Sequence, residues 1–490
     1  MVSREGAVPE VSRKEVYVSV SCHTRANRRW ACLLGSALAM WLAAAPSLAE
    51  SGQGRASAGS EAIRALLADA GHPFAPGCVT GTFRDGAMTA MVAQGYADIP
   101  AQRALDGDTL FYAASLSKQF TDLAVARLVV EGKLALEEDV RRYLPELPVY
   151  RAPMTVAMLM QHTAGIRDSL GLVRMAGMAD VGQAPKEAAL ALVFRQRDTQ
   201  FVPGTAYSYS NGGYFLLAEI VERVTGEPFA AYAKRTILDP MGMTRSYFLS
   251  GSDPRPGTFA HGYLPAGNGF VQRDTFPRFS GSGGLMLSMN DLARYEYDIE
   301  RGHRVWTDAV ARIMLTPGHY SDGTPIDDGE GLGYGGGLHI GTIDGQAVVQ
   351  HTGSAEALKH AYIRLPQTRE AFALLCNRGD WTASARLKQV MAAQGVRYPG
   401  MPRVQPAGLF HSDELGASYR LTPEGAGLRV EVTSGFLEAP AVFTFRPADD
   451  GLFHDDGVTI ALTDDPDRIV VSRGAIKGIV FSRSKEGKRK

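Results

Sequence analysis

The spacing of apolar and polar positions divides the chain into two regimes. Between residues 61 and 398, strand-like and helix-like patterns alternate. Residues 61–70 carry a helical period, and residues 78–83 and 87–94 are short apolar runs suited to strands. Asp85-Gly86 between those runs is a strong hairpin signal, because both residue types accept the positive φ that a two-residue turn demands. A long helix is expected from Ser115 to Glu131, with Phe120, Ala124 and Leu128 on one apolar face and Glu131-Gly132 at its end. Residues 211–224 give another helix stopped near Gly226, residues 371–375 a compact strand, and residues 383–394 a last helix. Beyond the Pro- and Gly-rich stretch around 398–406, only short alternating segments recur, at 427–432, 442–446, 458–462, 468–471 and 478–481. This second regime predicts an all-β module. No repeat of solenoid period is present.

Composition bounds the possibilities. The chain has 490 residues, 45% hydrophobic and 21% charged, with a formal net charge of -1. That is globular composition, and it lacks the basic excess of a nucleic-acid groove. The basic residues at 485–490 read as a solvated end. At the N-terminus, Arg25, Arg28 and Arg29 precede an apolar run over 30–45, and Ser47-Leu48-Ala49 supplies a small-x-small cleavage pattern. An export signal over 1–49 is therefore expected, leaving a periplasmic or secreted protein; membrane association would follow only if this segment were retained. Arg28-Arg29 also raises a twin-arginine route, and the 22 residues up to Cys22 form a long preface to a signal, as though the natural start lay further on. The expected layout is a signal at 1–49, a flexible linker at 50–60, a main domain at 61–398, a linker at 399–406 and the β module at 407–484. Cys22 and Cys32 would leave with the signal. Cys78 and Cys376 remain, either paired or as two buried thiols.

The candidate chemistry starts from Ser115-Leu116-Ser117-Lys118. A serine hydroxyl needs a neighbouring base, and residues i and i+3 share a helical face, so Lys118 can reach Ser115. Burial would lower the lysine pKa towards that of a usable base. Ser482-Arg483-Ser484-Lys485 has the same spacing but stands in the charged tail without a following helix, and serves as a chance control. Tyr209-Ser210-Asn211 follows a Pro203-Gly204 turn. In extended backbone Tyr209 and Asn211 would face one cleft, the tyrosine held partly as phenolate beside a cationic lysine and the asparagine offering its amide to a substrate. His351-Thr352-Gly353-Ser354 follows a strand-like run, where Gly353 would let a substrate backbone lie along the strand edge and the Ser115 and Ser354 N–H groups could form an oxyanion hole.

The order Ser-x-x-Lys, Tyr-x-Asn, His-Thr-Gly resembles the signature of the serine β-lactamase and penicillin-binding-protein-like hydrolases. That family includes class C β-lactamases, D-alanyl-D-alanine carboxypeptidases, D-aminopeptidases and esterases. The blocks 111–121, 161–166, 209–214, 283–285 and 291–292 stand in the family's order, over roughly residues 59–398. The resemblance implies an α+β, β-lactamase/transpeptidase-like fold: an antiparallel sheet flanked by helices, a helical region, and the site between them. It implies that the first strands neighbour the strand after the third motif, which would bring Cys78 near Cys376. The later module is similar to the small β-barrel appended to some D-aminopeptidase-like hydrolases. The implied activity is hydrolysis of amides or esters through an acyl-enzyme, with Ser115, Lys118 and Tyr209 catalytic and Asn211, His351, Thr352 and Gly353 binding substrate. Expected substrates are small molecules or peptides, cell-wall fragments among them, with no cofactor and no metal. Class C β-lactamases usually have lysine where this chain has His351, which shifts the expectation from a dedicated β-lactamase towards a peptidase or esterase. A β-lactamase proper and a penicillin-binding sensor without turnover are the alternatives.

Other signals carry less. The glycine spacing at 331–336 matches a dinucleotide loop but leads into a strand-like segment with no helix of its own. His351 and His360 lack metal-ligand spacing, and no Gly-x-Ser-x-Gly elbow occurs. His162 suits packing or capping.

Overall fold

The computed structural model describes residues 59–69, 71–251, 257–329, 331–400, 407–424, 427–447, 452–463, 465 and 467–484. The segment 1–49 expected to direct export, with Cys22 and Cys32, most of the 50–60 linker, residues 401–406 and the basic tail lie outside them. A seven-stranded antiparallel sheet organises the main domain. Its strands are β1 (Cys78–Arg84), β2 (Ala87–Gln94), β3 (Gly333–Gly335), β4 (Leu338–Ile343), β5 (Gln346–Ala355), β6 (Leu358–Leu365) and β7 (Glu370–Cys376), in the spatial order β3-β4-β5-β6-β7-β1-β2. The first two strands turn through Asp85 and Gly86, both at positive φ (51° and 73°), as a two-residue hairpin requires. Strands β1 and β7 lie inside the sheet with both faces covered, so each is buried along nearly its whole length, and β7 reads as an unbroken apolar run from Ala371 instead of an alternating one. On one face, Val348, Phe372 and Leu374 meet Ile63 and Leu67 of the helix at 59–67 and Leu387 and Val390 of the helix Ala383–Ala393. The other face, through Val79, Phe83 and Tyr362, packs into the large helical core.

Cys78 stands opposite Cys376 across the β1–β7 ladder, and the two form a disulfide. The open question from the sequence is thereby answered, and the first strands neighbour the last as the resemblance implies.

Helix α1 (Ser117–Val130) departs from expectation. It is preceded by a 3-10 turn, Ala114–Leu116, and every residue from Ser117 to Ala126 is buried. It is a central helix, not an amphipathic one. The polar side chains that imitate a wet face in the sequence are instead partnered inside. Ser117 Oγ accepts from Leu285 N–H at 3.2 Å, Thr121 donates to the Gly281 carbonyl at 2.7 Å, and Gln119 accepts from the Tyr295 phenol at 2.6 Å. Helix α2 (Asn211–Thr225) packs beside it and ends at Gly226 in the left-handed region.

Residues Gly408–Ser412 through Ile476–Arg483 close into an eight-stranded antiparallel barrel, its first strand pairing with its last. Phe410, Leu428, Phe445, Ile460, Ile469 and Phe481 fill its interior. Closure leaves no free sheet edge. The sequence pattern showed five of the eight strands. Phe453–Asp455 is too short to alternate visibly, and Ala417–Glu424 buries only Ala417 and Leu421.

Candidate active site

Strand Phe111–Tyr112 delivers the chain to the 3-10 turn that carries Ser115, at the N-terminal end of α1, where the helix dipole is positive. Lys118 follows on α1 with no exposed surface. Its Nζ donates to Ser115 Oγ at 3.1 Å, to Asn211 Oδ1 at 2.9 Å and to the Ser282 carbonyl at 3.0 Å. Burial lowers its pKa to about 7, against the pull of Asp168 and Asp122, which raise it. The three partners differ in one respect. An amide oxygen and a backbone carbonyl can only accept, whereas the Ser115 hydroxyl can also donate. When the amine is neutral it keeps two N–H groups for the acceptors, and its lone pair is left facing Ser115.

Tyr209 lies with its ring 4.7 Å from Lys118 Nζ and its phenol in hydrogen-bond reach of Ser115. The residue as a whole is 37% exposed. Its pKa is raised, first by burial of the phenol and also by the Asp168 charge, while the Ser115 hydrogen bond opposes. A phenolate is therefore not the resting form; the tyrosine keeps its proton. This corrects the sequence expectation, which counted the lysine as a cation and could not count Asp168.

Asn211 is held from both ends. Its Nδ2 donates to Asp168 Oδ2 at 2.7 Å and its backbone N–H donates to the same oxygen at 2.9 Å, while its Oδ1 accepts from Lys118. The carboxylate can only accept, so the amide orientation is forced. One Nδ2 hydrogen remains for a further acceptor. Asp168 also caps the helix Ser169–Met175, taking the Gly171 N–H at 2.7 Å. Sequence reasoning missed Asp168. Its capping role was readable from Asp168-Ser169 before an apolar run, but its reach to Asn211 was not.

The third motif lies on β5. Pairing with β4 ends at His339↔Gln350, yet pairing with β6 continues to Ala355↔Leu358. Residues 351–355 therefore have a strand on one side only among the described strands. The bare edge adjoins the Ser115 turn: a Cβ at Gly353 would sit 2.6 Å from the Ala113 carbonyl oxygen, which only glycine avoids. Ser354 follows Gly353 on this edge. Thr352 and Ser354 are exposed, and Ser354 Oγ accepts from Lys359 at 2.7 Å. His351 is different. Its ring is buried, with Nδ1 2.6 Å from the Thr352 carbonyl and Nε2 3.0 Å from the Tyr334 hydroxyl. Nδ1–H must donate to the carbonyl, so Nε2 accepts from Tyr334. Burial, then the nearby His339 and Lys118, push its pKa well below the ordinary value. The ring is neutral and accepts from Tyr334.

His162 packs against Tyr209 at 4.3 Å between ring centroids and accepts the Ser210 N–H on Nδ1 at 3.2 Å. The glycine-spaced stretch is the edge strand β3 and its turn into β4. Ser482 lies on a barrel strand opposite His411, and Lys485 falls outside the described residues. No group of three or more potential metal ligands is found among the described residues.

Asp168→Asn is expected to slow covalent modification of Ser115 about 10- to 100-fold, because a charged hydrogen-bond acceptor that orients Asn211 is lost. Loss of its charge should also move the acid limb of the rate to lower pH, since Asp168 raises the Lys118 pKa. A pH profile of Ser115 labelling checks both; an unmoved limb would contradict the electrostatic part.

A family model described as Beta-lactamase matches residues 62–395. Among curated proteins, a D-aminopeptidase of Cereibacter sphaeroides is 28% identical over 423 residues, covering 84% of this chain and 72% of the relative. A D-aminopeptidase of Gluconobacter oxydans is 27% identical, covering 74% and 68%. Among solved structures, the octameric penicillin-binding protein homologue from Pyrococcus abyssi gives a TM-score of 0.58 at 22% identity, covering 83% of this chain and 95% of that one. The D-amino acid amidase of Ochrobactrum anthropi gives 0.57 at 22% identity, covering 68% and 98%. At these identities the structures speak for a shared fold.

Proposed function

The chain belongs to the Beta-lactamase family, and from that premise we propose that this serine hydrolase cleaves amide bonds next to D-amino-acid residues in small peptides, through an acyl-enzyme on Ser115. The observation that carries the chemistry is the neutral-capable Lys118 amine whose lone pair can be met only by Ser115. Stereochemistry and substrate class are supported by the D-aminopeptidase relatives, one of which aligns over 84% of the chain. Neutral, buried His351 offers no cation for a β-lactam carboxylate, which favours the peptidase reading over a dedicated β-lactamase.

In the proposed sequence, Lys118 takes the Ser115 proton as Oγ attacks the amide carbonyl carbon. The Ser115 and Ser354 N–H groups receive the oxyanion, and the substrate backbone runs along the bare edge beside Thr352 and Gly353. The free Asn211 N–H holds a substrate carbonyl. Tyr209 gives its proton to the leaving nitrogen as the C–N bond breaks, and protonated Lys118 restores it. Water then attacks the ester, its proton passes to Lys118, and Ser115 Oγ leaves with that proton. Export of the mature chain is part of the same proposal, supported by the Cys78–Cys376 disulfide, a bond that persists in oxidising compartments.

Purified protein is to be offered D- and L-alanine p-nitroanilides, a short p-nitrophenyl ester and a fluorescent penicillin. The D-anilide should be cleaved faster than the L-anilide by about tenfold or more. A preference for the L form or for the ester would overturn the substrate class. A stable penicillin adduct with no turnover of anything offered would favour the sensor alternative.

A further inference from the structure

Asp122 lies one helical turn beyond Lys118 on α1 and is fully buried. On an exposed helix this i, i+4 spacing would be read as an ion pair. Here the three N–H directions of Lys118 are committed to Ser115, Asn211 and Ser282. The partner of Asp122 is the Tyr214 phenol on α2, whose Oη is 2.7 Å from Asp122 Oδ2 and 2.8 Å from the Met160 carbonyl oxygen. A phenol has one proton, and this one faces three oxygens, the Tyr334 hydroxyl being the third. If Asp122 were ionised, that proton could serve only one of them. With a proton on Oδ2, the acid donates to Tyr214 Oη, which frees the Tyr214 proton for the Met160 carbonyl or the Tyr334 hydroxyl and fills one contact more than the ionised form could. The other carboxyl oxygen, Oδ1, is buried without a hydrogen-bond partner. That is tolerable for the carbonyl oxygen of a neutral acid and costly for half of a carboxylate.

We propose that Asp122 is a neutral carboxylic acid in the resting protein and acts as a positioning residue, keeping a second negative charge away from Lys118 so that the amine can be uncharged at neutral pH. The inference rests on Lys118 being the base. The groups around the pair agree with it. Burial pushes the Asp122 carboxyl well above its ordinary range, although Tyr214 and Lys118 oppose this. Tyr209, Tyr214 and Tyr334 are pushed up by burial, and His162 is pushed well down, so all four are neutral. Asp168 is then the remaining anion among the described residues that acts on Lys118.

Two measurements on the full chain test this. Infrared spectra of protein labelled with ¹³C-aspartate should show a protonated buried carboxyl band at neutral pH, absent from Asp122→Asn. No such band in the wild type would overturn the proposal, and this readout does not depend on any variant folding. Second, Ser115 labelling by a fluorophosphonate is to be followed from about pH 5 to pH 9. Replacing a neutral acid by a neutral amide should leave the acid limb within about 0.3 unit, with Asp122→Leu as a second neutral variant. Movement of about one unit or more means that a charge was removed, and overturns the proposal. Failure of the underlying reading looks different: the wild-type profile would have no acid limb, while the infrared band would still be present.

Discussion

Ser115→Ala is expected to abolish adduct formation with a fluorophosphonate and to lower hydrolysis on the order of 10⁴- to 10⁶-fold. The loss is large because no other group can form the ester on which both halves of the reaction depend. The fold should be little affected. The removed hydroxyl takes one of three Lys118 hydrogen bonds, at a half-buried position, so thermal stability should change by about 1 kcal/mol or less. Intact-mass spectrometry of the labelled wild type and variant gives the answer, with Ser482→Ala as the control that should label normally. An adduct of equal stoichiometry on Ser115→Ala would remove this serine from the chemistry.

Lys118→Arg should cost on the order of 10² to 10⁴ in the rate of acylation. Arginine keeps the charge but cannot release a proton at any working pH, so it has no lone pair to offer. In the wild type, the rate should fall tenfold for each pH unit below about 7 and level off above it, because protonation removes the base. The sign for stability is the same. The folded value lies below the ordinary 10.5, so between about 7 and 10.5 the unfolded chain holds a proton that the folded chain has shed. Stability therefore rises with pH across that window, and its penalty is fully present below about 7. Lys118→Met, which has nothing to titrate, should lack this rise in a series of denaturant melts. An arginine variant as active as the wild type would end the case for Lys118 as base.

These two residues were legible because the helical period alone brings positions i and i+3 together. Tyr209 and Asn211 were legible as neighbours for a similar reason, and the hairpin at Asp85-Gly86 because turn chemistry is local. What escaped depends on contacts across the fold. Asp168 meets Asn211 from 43 positions away, and the Ser282 carbonyl meets Lys118 from 164 away; neither spacing has a period. Helix α1 was misjudged because polar letters are taken as wet until the burying elements are known. Gln119, Thr121 and Asp122 are polar and dry, each with a partner on another segment. For His351 likewise the motif was visible, but its burial and its bond to Tyr334 were not. The fold class came through the ordered blocks, whereas protonation states had to wait for the packing that sets them.

The Cys78–Cys376 bond spans 298 positions, and β1 lies between β2 and β7 in the sheet. A chain emerging from its N-terminal end can form the β1–β2 hairpin early, but one edge of β1 stays bare until residue 376 has been made. The helical core, which includes α1, rests on that unfinished sheet until about three-quarters of the 490 residues have been made. Maturation is therefore ordered in time: the segment bearing Ser115 is made early but gains its full support late, when the last strand docks and the two thiols meet. A nascent chain stalled before Cys376 should present an apolar strand edge to its surroundings and no working site, which makes the disulfide a mark of a finished molecule as well as a brace within it.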